Sequence, residues 1–253
     1  MKVVRSMFVR LSVLFIAFGI VAHAQQSPPP NPATTPIQIA FLLPVDVNNV
    51  NQLVQLINQQ RSIGRKDFII LLSSQGGEVL SGLAAYNYLH GLDINLTTFN
   101  IGQVDSAANL IFCAGRQRYA LPNSRFLVHS AFTSLPPGTP MNSAYLDGQL
   151  QQVKNMNQLS AQIIEATIGK KSSEIEQAIQ GQNIFDPQMA LSLGLIQAIK
   201  PDFLTPGAVI AEVKQEDIPV QVMGDVYRPM HVVGEKSGEP SVSSIGSSVN
   251  PAN

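Results

Sequence analysis

The chain has 253 residues, a formal net charge of −1 and only 13% charged residues. That balance excludes a broad basic face for nucleic acid and a polybasic patch for an anionic membrane surface. Polarity rests instead on Asn, Gln and Ser, and the length allows one large domain or two small ones with a substantial core.

The first segment reads as an export signal. Lys2, Arg5 and Arg10 form a positive start, residues 11–22 an apolar run, and Ala22-His23-Ala24 a small-residue cleavage site. The run is too short for the roughly 20 residues that span a bilayer, so it is read as a cleaved signal peptide over residues 1–24 rather than a retained anchor. The mature chain is expected to begin at Gln25, outside the cytoplasm, as a periplasmic or secreted protein with no membrane attachment. Residues 25–36 hold five prolines and form a linker. The one cysteine, Cys113, falls in an apolar stretch and reads as a small core residue; no intrachain disulfide is possible.

The body, residues 37–200, alternates strand and helix patterns. Residues 37–43 predict a strand, and 46–60 a helix with apolar residues at helical spacing and Asp46 as its N-cap. Residues 68–72 form a continuous apolar run, the mark of a strand buried on both faces of a parallel sheet. Gly76-Gly77 turns the chain into a helix over 78–90. A strand over 96–101, a short apolar helix after Ser106 and a strand over 125–129 follow. Residues 140–168 predict one long amphipathic helix ended by Gly169, with shorter helices over 171–180 and 187–193, the last ended by Gly194. One face of the long helix must be buried, either within the subunit or against another. The region 201–253 is a C-terminal extension with β-like runs at 208–213 and 218–223. From about Gly234 it is a polar Ser/Gly/Pro/Asn tail with too few apolar residues to order itself. The alternation argues for an α/β fold.

Three segments carry chemistry. Ser106 stands where a turn meets a helix, and unpaired N–H groups there can receive developing negative charge. The plain alternative is a capping serine, a role Asp105 can also fill. His129 closes a strand and is placed to serve as proton acceptor, although a lone His on an apolar strand is often only a core residue. Ser74-Gln75-Gly76-Gly77, between a strand and a helix, supplies a second loop of backbone donors; by itself it is also an ordinary turn. Together they point to acyl transfer at a serine. The sequence shows no metal-ligand constellation, no phosphate loop and no cofactor motif.

These motifs resemble the proteolytic subunit of the Clp protease, a serine peptidase family with a crotonase-like α/β fold and a helical handle. Ser74-Gln75-Gly76-Gly77 is similar to its Ser-Pro-Gly-Gly pattern. Gly102-Gln103-Val104-Asp105-Ser106-Ala107 is similar to its Gly-Gln-Ala-Ala-Ser-Met. Leu121-Pro122-Asn123-Ser124-Arg125, followed at the right interval by His129, matches its Leu-Pro-Asn-Ser-Arg-x-x-x-His. The resemblance covers roughly residues 36–200.

It implies that Ser106 is the nucleophile and His129 the general base, with the backbone N–H groups of Gly77 and Ala107 as oxyanion hole. It places Gln182 where the family has the triad Asp. Gln accepts a hydrogen bond but brings no charge, and losing that charge costs up to ~10⁴ in rate in serine proteases. Asp186, four residues on, is an alternative acid or simply the N-cap of the helix at Pro187. After His129 the family has a Gly-rich strand that pairs with substrate, whereas Pro136, Pro137 and Pro140 stand here.

The resemblance also implies a homo-oligomer, a heptameric ring, in which the long helix is the handle, and a peptide or unfolded-protein substrate. The segment ahead of the first strand is short for the family's ATPase-binding loops, and an exported protein meets little ATP, so no ATPase partner is expected. The expected activity is that of an ATP-independent serine endopeptidase. Three other readings stay open: an impaired Clp-like binding or scaffold protein, a Ser-Lys dyad using Lys170 or Lys171, and a crotonase-type acyl-CoA enzyme.

Overall fold

The apolar run expected to be buried on both faces is the second strand of a largely parallel sheet. The computed structural model describes residues 35–135, 137–169, 171, 173–204, 208–214 and 222–223. The expected signal peptide, the linker up to residue 34 and the tail from Gly234 lie outside the described residues. In chain order the elements are β1 (Ile37–Phe41), α1 (Val47–Ser62), β2 (Asp67–Ser74), α2 (Val79–Gly91), β3 (Asn95–Asp105), α3 (Ala108–Cys113), β4 (Gln117–Ala120) and β5 (Arg125–His129). They continue with α4 (Ser143–Ile168), α5 (Ser173–Gln180), β6 (Gln182–Phe185), α6 (Pro187–Leu193), β7 (Ala198–Ile199), β8 (Val209–Glu212) and β9 (Val222–Met223).

The strands lie in the order β6-β5-β3-β2-β1-β8-β9, with β4 joined to β3 and β7. All pairs are parallel except β5–β6 and β8–β9. Parallel neighbours need crossovers, and α1 and α2 supply the first two. Asp46 caps α1 as its position suggests, its Oδ1 accepting from Asn49 N–H at 2.8 Å. The α1 stripe Val50, Leu53, Leu56 and Ile57 is buried, as the 3.6-residue period requires.

β3 runs four residues past its expected end and forks. Its middle, Thr97–Asn100, pairs with β4, and its end, Gln103–Asp105, pairs with β5. Asn100, fully buried, holds the fork. Its Nδ2 donates to Arg125 O at 2.8 Å, its Oδ1 accepts from Gly102 N–H at 3.0 Å, and its carbonyl accepts from Leu121 N–H. The short strands β4, β6 and β7 have no counterpart among the sequence expectations. With two to four residues each, they carry too few positions to show a period.

The long helix is there, but it begins at Ser143 rather than 140, because Asn142 caps it by accepting from Tyr145 N–H at 2.8 Å. Gly169 ends it in the left-handed region at φ 74°. Only Ile163 and Ile164 of its 26 residues are buried, while Leu146, Leu150 and Leu159 are exposed. Most of its apolar face is therefore not covered by the described residues of the subunit.

Candidate active site

Ser106 sits at a strained corner. β3 ends at Asp105, α3 begins at Ala108, and Ser106 between them has φ 54°, the only positive φ at a non-glycine among the described residues. Such a conformation costs about 1–3 kcal/mol and persists only where its surroundings over-determine it. They do so here. Ser106 N–H donates to Leu127 O at 2.8 Å, and the buried Asn109 donates from Nδ2 to both Ser106 O and Leu127 O. On the other side the buried Asp105 carboxylate pairs with Arg125 at 2.7 Å.

The capping readings for this corner are thus corrected. Asp105 is committed to Arg125, Ser106 uses its carbonyl rather than its hydroxyl toward Asn109 N–H, and the N-cap position belongs to Ala107, which has no side-chain cap. Among the described residues the Ser106 hydroxyl has no hydrogen-bond partner, so it is left for a ligand.

The turn Ser74-Gln75-Gly76-Gly77 abuts this corner. Ser74 Oγ donates to Leu43 O at 2.6 Å and accepts from Gly76 N–H at 3.2 Å, which pins the start of the turn. Gly76 and Gly77 have φ of 85° and 150°. A Cβ on Gly76 would lie 2.6 Å from Ser106 Cβ, and one on Gly77 would strike the Val45 carbonyl. Only glycine lets the backbone come this close. Val45 N–H and Glu78 N–H are engaged across the turn, but Gly77 N–H and Ala107 N–H find no acceptor among the described residues. Two free donors therefore flank Ser106, as an oxyanion site needs.

His129, at the end of β5, lines the same two spaces as Ser106. One is a small cavity of about 20 Å³ whose wall includes Ala107, Asn109 and Asn157. The other is an open groove of about 580 Å³ bordered by Gly77, Leu80, Phe132 and Met156. Neither is lined by a lysine; Lys170 of the dyad alternative lies outside the described residues. His129 Nδ1 is 2.7 Å from the carbonyl oxygen of Ser130, and Phe132, 78% exposed, stacks on its ring with centroids 6.2 Å apart.

No carboxylate forms an ion pair with His129 among the described residues. Gln182 is the first residue of β6, and its backbone is the antiparallel partner of His129. Asp186 caps α6, its Oδ1 accepting from Met189 N–H at 2.7 Å, so the simpler of its two readings holds.

Sequence reasoning missed two neighbours of the histidine, Ser130 and Asn157. Asn157 Oδ1 accepts from Ala131 N–H and its Nδ2 donates to Ser130 Oγ, each at 2.7 Å. A faint signal existed: Asn157 and Ser160 interrupt the apolar stripe of Val153, Met156, Ile163 and Ile164 on α4. The stretch after His129 contains no strand until β6 among the described residues, in keeping with its prolines.

Among the described residues no helix is long and apolar enough to cross a membrane, and no three His, Cys, Asp or Glu residues cluster as metal ligands would. The family model described as Clp protease matches residues 35–202, a span that takes in the Gly77 turn, the Ser106 corner, His129 and Gln182. The mostly parallel mixed sheet is consistent with the Clp protease and crotonase fold, and membership implies a serine peptidase of a kind that typically forms oligomers. With that match over more than half of its length, the chain belongs to the Clp protease family.

Proposed function

We propose that the chain is an exported, ATP-independent serine endopeptidase that cleaves peptides or unfolded segments. The observation that carries this reading is the strained Ser106, whose hydroxyl has no partner among the described residues, sharing a groove with His129 and Gly77 and an adjoining small cavity with His129 and Ala107, the Gly77 and Ala107 N–H groups finding no acceptor among the described residues. Ser106 Oγ attacks the scissile carbonyl carbon while its proton passes to His129. The C–O bond forms, and the resulting oxyanion is received by Gly77 N–H and Ala107 N–H. Collapse breaks the C–N bond, and His129 returns the proton to the departing amine. Water then attacks the acyl-serine, His129 taking its proton, and Ser106 is released. By resemblance, Gln182 takes the position of the triad acid without supplying its charge.

A second reading has an observation behind it. With no acid paired to His129 among the described residues and Asp186 tied up in capping, a catalytically impaired Clp-like binding or scaffold protein is the alternative. Hydrolysis of a short fluorogenic peptide separates the two. Wild type should turn over and Ser106→Ala should not; equal rates for both remove Ser106 as nucleophile, and no turnover in either selects the scaffold.

The localisation and assembly parts of the proposal have their own tests. Mass spectrometry of the exported form should show an N-terminus at Gln25, and an intact Met1 in a membrane fraction contradicts it. The uncovered apolar face of α4 supports a ring, so sedimentation should give a multimer, with a heptamer or a stacked pair as the expected size. A monomer across the micromolar range contradicts it.

A further inference from the structure

We propose that Asn157 is a positioning residue that fixes the tautomer of His129 through the Ser130 carbonyl, in place of a triad acid. The proposal rests on the Ser106/His129 reading above. It starts from the 2.7 Å contact between His129 Nδ1 and Ser130 O. A carbonyl oxygen only accepts, so Nδ1 carries the ring proton and Nε2 keeps its lone pair. That is the tautomer a general base needs at the nitrogen facing a serine.

A carbonyl on the next residue orients a histidine only if its own peptide is held. The Ser130–Ala131 peptide is trans, as every described peptide is, so its C=O and N–H lie in one plane and point in opposite directions. Asn157 Oδ1 accepts from that N–H at 2.7 Å. Holding the N–H toward α4 turns the C=O the other way, to the imidazole. The Asn157 amide is itself pinned, because its Nδ2 donates to Ser130 Oγ at 2.7 Å and Ser130 Oγ donates on to Ala131 O at 3.2 Å. An N–H donor on one end of the amide and a hydroxyl on the other fix which atom is oxygen. Asn157 and His129 also line the same small cavity.

The clamp explains how the site keeps an ordered base without a paired carboxylate. The dipole of a peptide carbonyl orients the ring as a carboxylate does, but it stabilises the imidazolium less. It also occupies Ala131 N–H, the second backbone donor after His129, so that group is not open to an extended substrate.

The test uses the mature full-length protein with ¹⁵N-labelled histidine, read by long-range ¹H–¹⁵N correlation at a pH where the ring is neutral, with His129→Gln for assignment. Wild type should show the Nδ1–H pattern. Asn157→Ala should shift His129 toward the Nε2–H tautomer or a mixture, and lower kcat about 10- to 100-fold with KM nearly unchanged, the loss expected for a misplaced catalytic group. Asn157→Asp keeps the acceptor for Ala131 N–H and should keep the Nδ1–H pattern. An Nε2–H pattern in wild type overturns the proposal whatever the variants do. So does an Asn157→Ala protein, folded by circular dichroism, in which tautomer and kcat are both unchanged. The tautomer is read without turnover, so a protein inert toward peptides with the expected wild-type and Asn157→Ala spectra supports the clamp while removing the peptidase reading.

Discussion

The two halves of the candidate site are built from different material. On the Ser106 side the supports are buried side chains or backbone, apart from the half-exposed Arg125: Asn109, Asp105 with Arg125, the Gly76-Gly77 turn and the β3–β5 pairing. On the His129 side the supports are a strand end, a stretch without regular structure, the exposed Phe132 and a helix with an uncovered apolar face. The Ser106 corner is thus tied into the core, where changes are felt as stability. His129 is held from the surface by a few polar contacts, where changes are expected in rate if it serves as the proposed base. The same contrast suggests why assembly would matter: the half that depends on α4 is the half a neighbouring subunit would touch.

Substitutions break or sharpen this contrast in a graded way. Ser106→Gly should produce the largest split, a loss of turnover by roughly 10⁴-fold or more together with a gain of stability. Glycine relieves the positive φ, so Ser106→Gly should be more stable than Ser106→Ala by about 1 kcal/mol. Thermal melts of the two variants check it; equal melting would mean that Ser106 is not strained.

On the same side, Gly77→Ala should cost about 2–3 kcal/mol or abolish folding, because its Cβ meets the Val45 carbonyl and alanine resists that φ. Arg125→Met should cost less, about 1–2 kcal/mol, since the Asp105 carboxylate it leaves unpaired is buried while Arg125 itself is half-exposed. Urea titration measures both. A change under about 0.5 kcal/mol in either would mean that the Ser106 corner is not anchored as described.

On the histidine side the expected effects are in rate. Gln182→Asp should raise kcat/KM by less than the ~10⁴ that loss of a triad acid costs, because the Ser130 carbonyl already holds Nδ1. A rise of the full size would show that the carboxylate displaces that carbonyl. No rise at all would show that position 182 plays no part in orienting the ring.

The smallest effect belongs to Cys113. Burial pushes its thiol up to about 11, so it stays protonated and should not react with a thiol reagent at pH 8 until the protein is unfolded. Between about pH 9 and 11 the unfolded chain gives up that proton while the folded one keeps it, so stability should fall as pH rises there. Rapid labelling of native protein contradicts this placement.

The parts legible in the sequence are those with a local cause. Asp46 and Asp186 cap helices because a carboxylate at that position reaches a nearby N–H. The run at Phe68 to Leu72 reads as an inner strand because its apolar residues are continuous, and it lies between β1 and β3 with all but the partly exposed Ile69 buried. Motifs mark Gly76, Gly77, Ser106 and His129, and the fold brings the last three to one groove, with Gly76 packed against Ser106. What the sequence hid has non-local causes. β4 and β7 exist only as ladder partners. Asp105 reads as a cap until β5 brings Arg125 beside it. Ser130 acts through a carbonyl, which no side-chain pattern reveals. Asn157 reaches the site only because α4 returns across the chain.

The central claim is that Ser106 is a nucleophile activated by His129. The most direct measurement is labelling of the mature protein with a fluorophosphonate probe, with the adduct mapped by mass spectrometry. This account predicts an adduct on Ser106, absent in Ser106→Ala and strongly slowed in His129→Ala. An adduct on another residue, or labelling of Ser106 that is indifferent to His129, would contradict it.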